Sequence, residues 1–278
     1  MSYSDFENTP INQVPLAVLD TETTGLHPGL GDRVIEIGIL RLEGGKETGQ
    51  VNSLVNPGRP IPERASSINH IYDHDVADKP VFKQLAHEIE TVLEGALIVA
   101  HNARFDAEFL SIEWSMTKRP ALENQCVCTL DLARNCFHFH RNRLSDVASV
   151  LGVRIGRAHR AMNDVWITAQ VFNAMMRELS QRGLATVGDI IHAQGGRIVV
   201  PPPNESFLPD PLGSAINSRS RIGIRYCDAE GTITERVVDP LYTARHYGEE
   251  YLIAYCHTRQ SQRTFHLDRI MGAFPVED

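Results

Sequence analysis

The sequence predicts an α/β architecture, a mixed five-stranded sheet flanked by helices, followed by a small all-β unit. Three observations carry that prediction. Three strand-like runs joined by short turns open the chain. Helical and strand patterns then alternate as far as residue 183. Beyond a stretch rich in proline and glycine, residues 221–278 hold only short strand patterns. Such an order gives a sheet covered by helices and a separate β layer. The predicted organisation is residues 1–183, a helix and linker over 184–220, and the β unit over 221–278.

The first strand is the apolar run from Val14 to Leu19, which drives into Asp20-Thr-Glu22 and a Thr-Thr-Gly turn. A strand has a side-chain period of two, so Asp20 and Glu22 point the same way. Two like charges on one face repel, and a divalent cation is the natural remedy. Arg33 to Leu42 reads as a second strand, Gly44-Gly45 as a turn, and Gln50 to Val55 as a third strand, which suggests an antiparallel meander. A short helix starts near Ile61. A longer one, with Phe82, Leu85, Ile89, Val92 and Leu93 at helical spacing, ends at Gly95. Ala96 to Ala100 is a fully apolar strand, followed by a helix carrying Phe105, Phe109, Leu110 and Trp114. Cys126 to Leu130 is the fifth strand and Leu144 to Leu151 a brief helix. Met162 to Leu179 is a long helix with Met162, Val165, Trp166, Ala169, Phe172, Met176 and Leu179 as its buried stripe. Gly183 to Gln194 holds one more short helix. Gly195-Gly196 and Pro201-Pro202-Pro203 then mark the linker. The last unit alternates through Ile222 to Cys227, Thr232 to Val238, Tyr251 to His257 and Arg263 to Leu267, which suggests a small barrel or roll.

Composition narrows the classes. The chain has 278 residues, 42% hydrophobic and 22% charged, ordinary values for a globular protein. No apolar run approaches ~18 residues, and Met1 to Val14 lacks the layout of a signal peptide. Five cysteines without a repeated Cys-x-x-Cys suit a reducing compartment, so a cytoplasmic location is expected. A net charge of -8 argues by its sum against a nucleic-acid partner. Its distribution argues otherwise. From Leu130 to Arg182 eight Arg face four acids, a local excess of +4 that suits phosphates or a solvated helical face.

Four carboxylates can be pooled: Asp20, Glu22, Asp106 and Asp164. Asp106 sits in the first turn of its helix, where the dipole tolerates negative charge. At about 100° per residue, Asp164 falls outside the apolar stripe of the long helix and is free to face a cleft. Singly, an Asp in a helix's first turn would more simply be a cap. Together they make a ligand set for two hard divalent ions, the arrangement that assists in-line phosphodiester hydrolysis. His159, five residues ahead of Asp164, is a residue type able to take a proton from water, since an unperturbed imidazole has a pKa near neutrality. A competing metal set is Cys126, Cys128, Cys136, His138 and His140, which lacks the usual zinc spacing at its start.

The text Asp20-Thr-Glu-Thr-Thr-Gly-Leu26, His101-Asn-Ala-Arg-Phe-Asp106-Ala-Glu-Phe-Leu110 and His159-Arg-Ala-Met-Asn-Asp164 resembles the three exonuclease motifs of the DEDD family. It is similar to the branch with histidine in the third motif, which includes the proofreading epsilon subunit of bacterial replicative polymerase. The resemblance covers residues 14 to 182 and implies an RNase H-like fold and stepwise 3′→5′ release of nucleoside 5′-monophosphates. It implies two Mg²⁺ or Mn²⁺ ions, one held by Asp20, Glu22 and Asp164, the other by Asp20 with support from Asp106, and His159 as general base. Glu22 and the backbone from Thr23 would meet the terminal 3′-hydroxyl. Leu26 would wedge against the last base, and Asn102 and Phe105 would line the nucleotide pocket. Asn69, in Ile68-Asn69-His70-Ile71-Tyr72, stands where the family commonly has a nucleotide-binding histidine, with His70 beside it.

Ile222 to Ile270 resembles the WYL domain. The resemblance rests on Tyr226-Cys-Asp-Ala-Glu-Gly231, Arg236-Val-Val-Asp-Pro240, Glu250-Tyr251-Leu252-Ile-Ala-Tyr255-Cys256 and Arg263-Thr-Phe265-His-Leu-Asp-Arg269-Ile270. Glu250 replaces the tryptophan of the motif. The resemblance implies sensing of a nucleotide or nucleic-acid ligand, for which Arg interleaved with Tyr226, Tyr251, Tyr255 and Phe265 is suited. Nine acids against eight Arg over residues 219–278 weigh the other way, and these aromatics equally suit a small core. Single-stranded DNA is the expected substrate, with RNA or oligoribonucleotides second and a non-catalytic nucleic-acid-binding regulator third.

Overall fold

A computed structural model describes residues 6–117, 119–154, 160–201, 208 and 210–276. The opening meander is β1 (Leu16–Thr23), β2 (Val34–Glu43) and β3 (Lys46–Leu54), paired antiparallel. Gly44 and Gly45, both at positive φ, make the turn between the last two. Next come α1 (Glu63–Asn69), α2 (Asp73–Val76), α3 (Phe82–Leu93), β4 (Leu97–Ala100), α4 (Ala103–Ser115) and β5 (Gln125–Cys128). α5 (Thr129–Cys136), α6 (Leu144–Val150), α7 (Ala161–Gln181), α8 (Val187–Ala193) and β6 (Ile198–Val199) complete this part. β4 runs parallel to β1 and β5 parallel to β4, so the sheet is mixed, in the order β3-β2-β1-β4-β5-β6.

Both faces of this sheet are covered, which is why its central strands read as continuous apolar runs. On β1, Leu16 and Val18 face one core with α5 to α8, and Ala17 and Leu19 face the other with α3 and α4. α7 is buried along a wider arc than its stripe suggested, taking in Ile167, Val171 and Met175. Trp166, expected inside, is 41% exposed at the edge of that arc.

The sheet has six strands, one more than the sequence pattern indicates. β6 lies in the stretch read as linker and pairs antiparallel with β5. Two residues carry no periodicity. Side chains hold the strand instead: Gln125 donates to the Ile198 carbonyl at 2.6 Å, and Gln194 donates to the Cys126 carbonyl at 3.1 Å.

The C-terminal part begins with α9 (Leu212–Ser218) and continues as β7 (Ile222–Cys227), β8 (Ile233–His246), β9 (Glu249–Cys256), β10 (Ser261–His266) and β11 (Ile270–Pro275). They form one antiparallel sheet in the order β10-β9-β8-β7-β11. The outer strands β10 and β11 do not pair with each other among the described residues, so the sheet is not the closed barrel that short strands suggest. β8 runs eight residues beyond Val238, where the sequence pattern ends the strand. The proline is accommodated because the register shifts between Pro240 and Tyr242. One face of the sheet packs α9, with Leu212 and Ala215 against Ile224, Val238, Leu252 and Phe265. Tyr226 lies edge-on to Phe265 at 5.1 Å. These two aromatics therefore belong to the core and are not a platform for bases.

The other face docks on α4. Ile112 and Met116 pack against Tyr242, Ala244 and Ile253. Arg219 donates to the carbonyls of Ser115 and Met116, groups that the last turn of a helix leaves without partners. Beside them, Arg33 forms a two-pronged ion pair with the buried Glu113, both bonds at 2.7 Å, and donates to Gln262 on β10 at 2.7 Å. α4 is thus buried on both sides, which accounts for its weak amphipathic pattern. No helix of the described residues is long and apolar enough to cross a membrane.

Candidate active site

β1 delivers Asp20 and Glu22 to the edge of a cleft, and antiparallel register places them opposite Gly38 and Glu36 of β2. The third acid arrives from α7. A Cβ on Gly38 would lie 2.9 Å from the Ala161 carbonyl carbon and the Met162 nitrogen, so only glycine lets the start of α7 rest on β2. Glu36, buried near the start of β2, accepts from Arg160 at 2.8 Å and from the Ala161 backbone N–H at 3.1 Å. These contacts pin the first turn of α7, which carries Asp164. Oxygens of Asp20, Glu22 and Asp164 lie within 4.8 Å of one another.

Asp106 stands just behind. It is buried in the first turn of α4, and its Oδ1 accepts from the backbone N–H of Thr21 at 3.0 Å and from the Thr21 hydroxyl at 2.7 Å. Thr21 lies between Asp20 and Glu22 with its side chain on the opposite face of β1, so one residue ties the second motif to the first.

The electrostatics state what the cluster lacks. Burial, then the charges of Asp106, Glu22 and Asp164, push the Asp20 carboxyl well above its ordinary range. Burial, with Asp164 and Glu36 next, raises Glu22 to about 7 against a partial offset from Arg160. Burial likewise raises Asp106 to about 7, although the Thr21 hydrogen bonds oppose it. Carboxylates at this spacing, repelling one another and partly open to solvent, suit a hard divalent cation. The residues fit such an ion.

A cavity of about 380 Å³ opens beside the acids. Leu26 at 65% and Ile68 at 53% exposure stand along it with Phe105, an apolar wall that suits an unstacked base. The loop under Leu26 is closed by Asp32, which accepts from Thr24 Oγ1 at 3.1 Å and from the His27 backbone N–H at 3.1 Å. A Cβ on Gly25 would sit 2.2 Å from the Asp32 carboxylate, so that turn requires glycine. Thr23 lines the cavity, and its hydroxyl donates to the Gly25 carbonyl at 2.6 Å. Asn69 also lines it but is 2% exposed, donating to the Thr23 carbonyl at 3.4 Å and accepting from the Ile71 N–H at 3.0 Å. That arrangement makes Asn69 a support for the pocket floor. His70 points outward at positive φ and is not in the lining. Asn102 takes a left-handed conformation immediately before α4. Its neighbour His101 is held between the Thr129 hydroxyl and the Asn142 carbonyl, each at 2.9 Å. His159 lies outside the described residues.

Glu36, Arg160 and Gly38 were missed by motif reading. A glutamate between Ile35 and Ile37 was the available signal, since a charge in a buried strand needs a partner.

Residues 17–172 match the Exonuclease (RNase_T) family and residues 209–275 match the WYL domain. Over 166 residues the chain is 36% identical to the DNA polymerase III subunit epsilon of Treponema pallidum, a match covering 59% of this chain and 77% of that one. It is 34% identical over 193 residues to a DNA polymerase III subunit epsilon-like protein of Rhodobacter capsulatus, covering 68% of this chain and 27% of that longer protein. The structure of exonuclease X in complex with 5′-overhanging duplex DNA matches with a TM-score of 0.52 and 27% identity, across 65% of this chain and 99% of that one. A carboxylate-lined cleft at the edge of a mixed sheet could hold a divalent cation, as suits a nuclease of this family. The chain belongs to the exonuclease family, with a WYL domain behind the nuclease unit, and is a 3′–5′ exonuclease.

Proposed function

We propose that the protein removes nucleotides one at a time from the 3′ end of single-stranded DNA, releasing nucleoside 5′-monophosphates with two Mg²⁺ or Mn²⁺ ions bound. The observation that carries this reading is the convergence of Asp20, Glu22 and Asp164 within 4.8 Å at the foot of an apolar-walled cleft. Asp20, Glu22 and Asp164 would hold one ion, and Asp20 with Asp106 would serve the other. The ions would neutralise these acids and stabilise charge on the attacking and leaving oxygens. The terminal base lies against Leu26 and Phe105, its 3′-hydroxyl near Glu22 and the Thr23 backbone, with Asn102 beside it. Water attacks the terminal phosphorus in line. Its proton passes to a ring nitrogen of His159, by the place of that residue in the third motif. The P–O3′ bond to the preceding nucleotide breaks, and that oxygen takes up a proton. DNA is favoured because the relatives named above, at 27% identity or more, include DNA polymerase III subunits and a nuclease bound to DNA.

Matched 3′-labelled DNA and RNA oligonucleotides, single- and double-stranded, test the reading with Mg²⁺ or Mn²⁺ present. Mononucleotide release from single-stranded DNA at the highest kcat/KM is expected. Faster turnover of RNA would overturn the substrate, and no release from any of them would overturn the reaction.

A further inference from the structure

A second groove, of about 310 Å³, opens where the two sheets meet. Its lining includes Leu26 and His27 from the loop after β1, Glu108 and Ile112 from α4, and Arg245 and His246 from the end of β8. Leu26 and His27 also line the nucleotide cavity, so the two hollows share one wall. From that wall a row of rings leads outward. The His27 and His246 ring centres are 4.8 Å apart, and those of His246 and Tyr247 are 4.4 Å apart.

The row ends on a residue with no evident structural purpose. His246 pairs with Glu249, so Tyr247 and Gly248 form a two-residue hairpin turn with φ of 48° and 87°. Such a turn prefers asparagine followed by glycine, because both central residues need positive φ. Tyrosine is strained there. At 94% exposure it returns almost nothing to the core. A strained, exposed aromatic continuing a row of rings is the pattern of a contact made with something outside the chain.

The hairpin is also fixed relative to the cleft. The Tyr242 hydroxyl donates to the Pro28 carbonyl at 2.8 Å, and Gln262 Nε2 donates to the Gly31 carbonyl at 2.6 Å. Thr264 donates to the Leu30 carbonyl at 2.5 Å. The loop carrying Leu26 and His27 is thereby strapped to the C-terminal sheet by three backbone carbonyls. A strand leaving the nucleotide cavity past Leu26 meets the rings in a set position.

We propose that His27, His246 and Tyr247 form a stacking subsite for unpaired nucleotides on the 5′ side of the one being removed. This rests on the exonuclease reading and names where the substrate's upstream chain is gripped. Every base offers a π face, so stacking of this kind is tolerant of sequence. The groove holds Glu108 as well as Arg245, and Arg245 itself pairs with Glu250 at 3.5 Å. Stacking, rather than phosphate neutralisation, therefore supplies the grip.

The test compares the full-length protein with Tyr247→Asn and His246→Ala on two substrates. One is the p-nitrophenyl ester of thymidine 5′-monophosphate, which has no upstream nucleotide, and the other is a thymidine decamer. The expected result is a fall of about tenfold in the ratio of kcat/KM for decamer over ester, carried by KM. The salt dependence of decamer binding should keep its slope, since no phosphate contact is removed. Tyr247→Asn should also melt no lower than the unaltered protein, because asparagine suits the turn. A ratio unmoved in both variants overturns the proposal, and so does an unaltered protein that gains nothing from added length. If the unaltered protein cleaves neither substrate, the exonuclease reading itself fails. Cleavage of both with the ratio unmoved sinks the subsite alone.

Discussion

Two clusters of buried charge lie on either side of the loop that follows β1, and they are built to opposite rules. In the cleft, Asp20, Glu22, Asp106 and Asp164 crowd together, with burial and then neighbouring charges raising Asp20 and Glu22, and burial raising Asp106. At the junction of the two sheets, Arg33 and Glu113 face each other in a two-pronged pair. Every strong group there is answered: Glu113 also accepts from the Val34 N–H, and Arg33 also donates to Pro57 and Gln262. Buried charge that is balanced holds parts together. Buried charge of one sign stores a demand for a cation, and such a demand is the mark of a working site.

Substitutions in the two clusters are expected to act with opposite sign on stability. Replacing Asp20 by Asn should lower nucleotide release by more than about a thousandfold, equal to over about 4 kcal/mol of barrier. The same substitution should raise the melting temperature of the metal-free protein by a few degrees, because it removes a repelled charge. A single melting curve with EDTA checks the second half, and a fall in stability there would contradict the account of the cluster. The opposite sign is expected at the junction. Glu113→Ala strands Arg33 below the surface and should cost about 3–5 kcal/mol in urea unfolding.

Gly38→Ala tests how the third acid is brought in. The added methyl meets α7 backbone, so a loss of about 1–3 kcal/mol in stability is expected, together with weaker binding of Mn²⁺ measured by calorimetry. Unchanged metal affinity would mean that α7 can shift without moving Asp164.

The smallest effect is on pH. Glu22 and Asp106 have folded values raised to about 7 from ordinary values of 4.5 and 3.8. A raised carboxyl contributes stability in full below its unfolded value and loses it as pH rises through its folded value. The metal-free protein should therefore lose stability between about pH 5 and pH 8 relative to Glu22→Gln, by a few degrees of melting temperature. Saturating Mg²⁺ should remove the difference, since protons and metal compete for the same oxygens.

Much of the cleft was legible because its parts obey local rules. Asp20 and Glu22 share a strand face, and Asp106 and Asp164 each open a helix. The family resemblance added an order in which to combine them. What could not be read is what depends on two distant segments at once. Glu36 looks like an error in an apolar strand until Arg160 arrives from 124 positions away. Glu113 looks like a solvated helix residue until the C-terminal sheet covers it. β6 is too short to have a period, and the end of β8 lies beyond Pro240, whose bulge only a paired strand reveals. Tyr247 gave no signal at all, because an aromatic next to glycine carries no pattern until its exposure and backbone angle are known.

α4 has one further consequence. A helix sandwiched between two sheets belongs to the interior of both, so the nuclease part and the C-terminal sheet cannot be separated cleanly. A nuclease fragment ending before Leu212 would present Ile112 and Met116 to water, together with the helix-end carbonyls that Arg219 answers and an Arg33 without Gln262. Newly bared apolar surface of this kind invites self-association. The second sheet thus serves as the outer lining of the first one's core, and a single cooperative melting transition is expected.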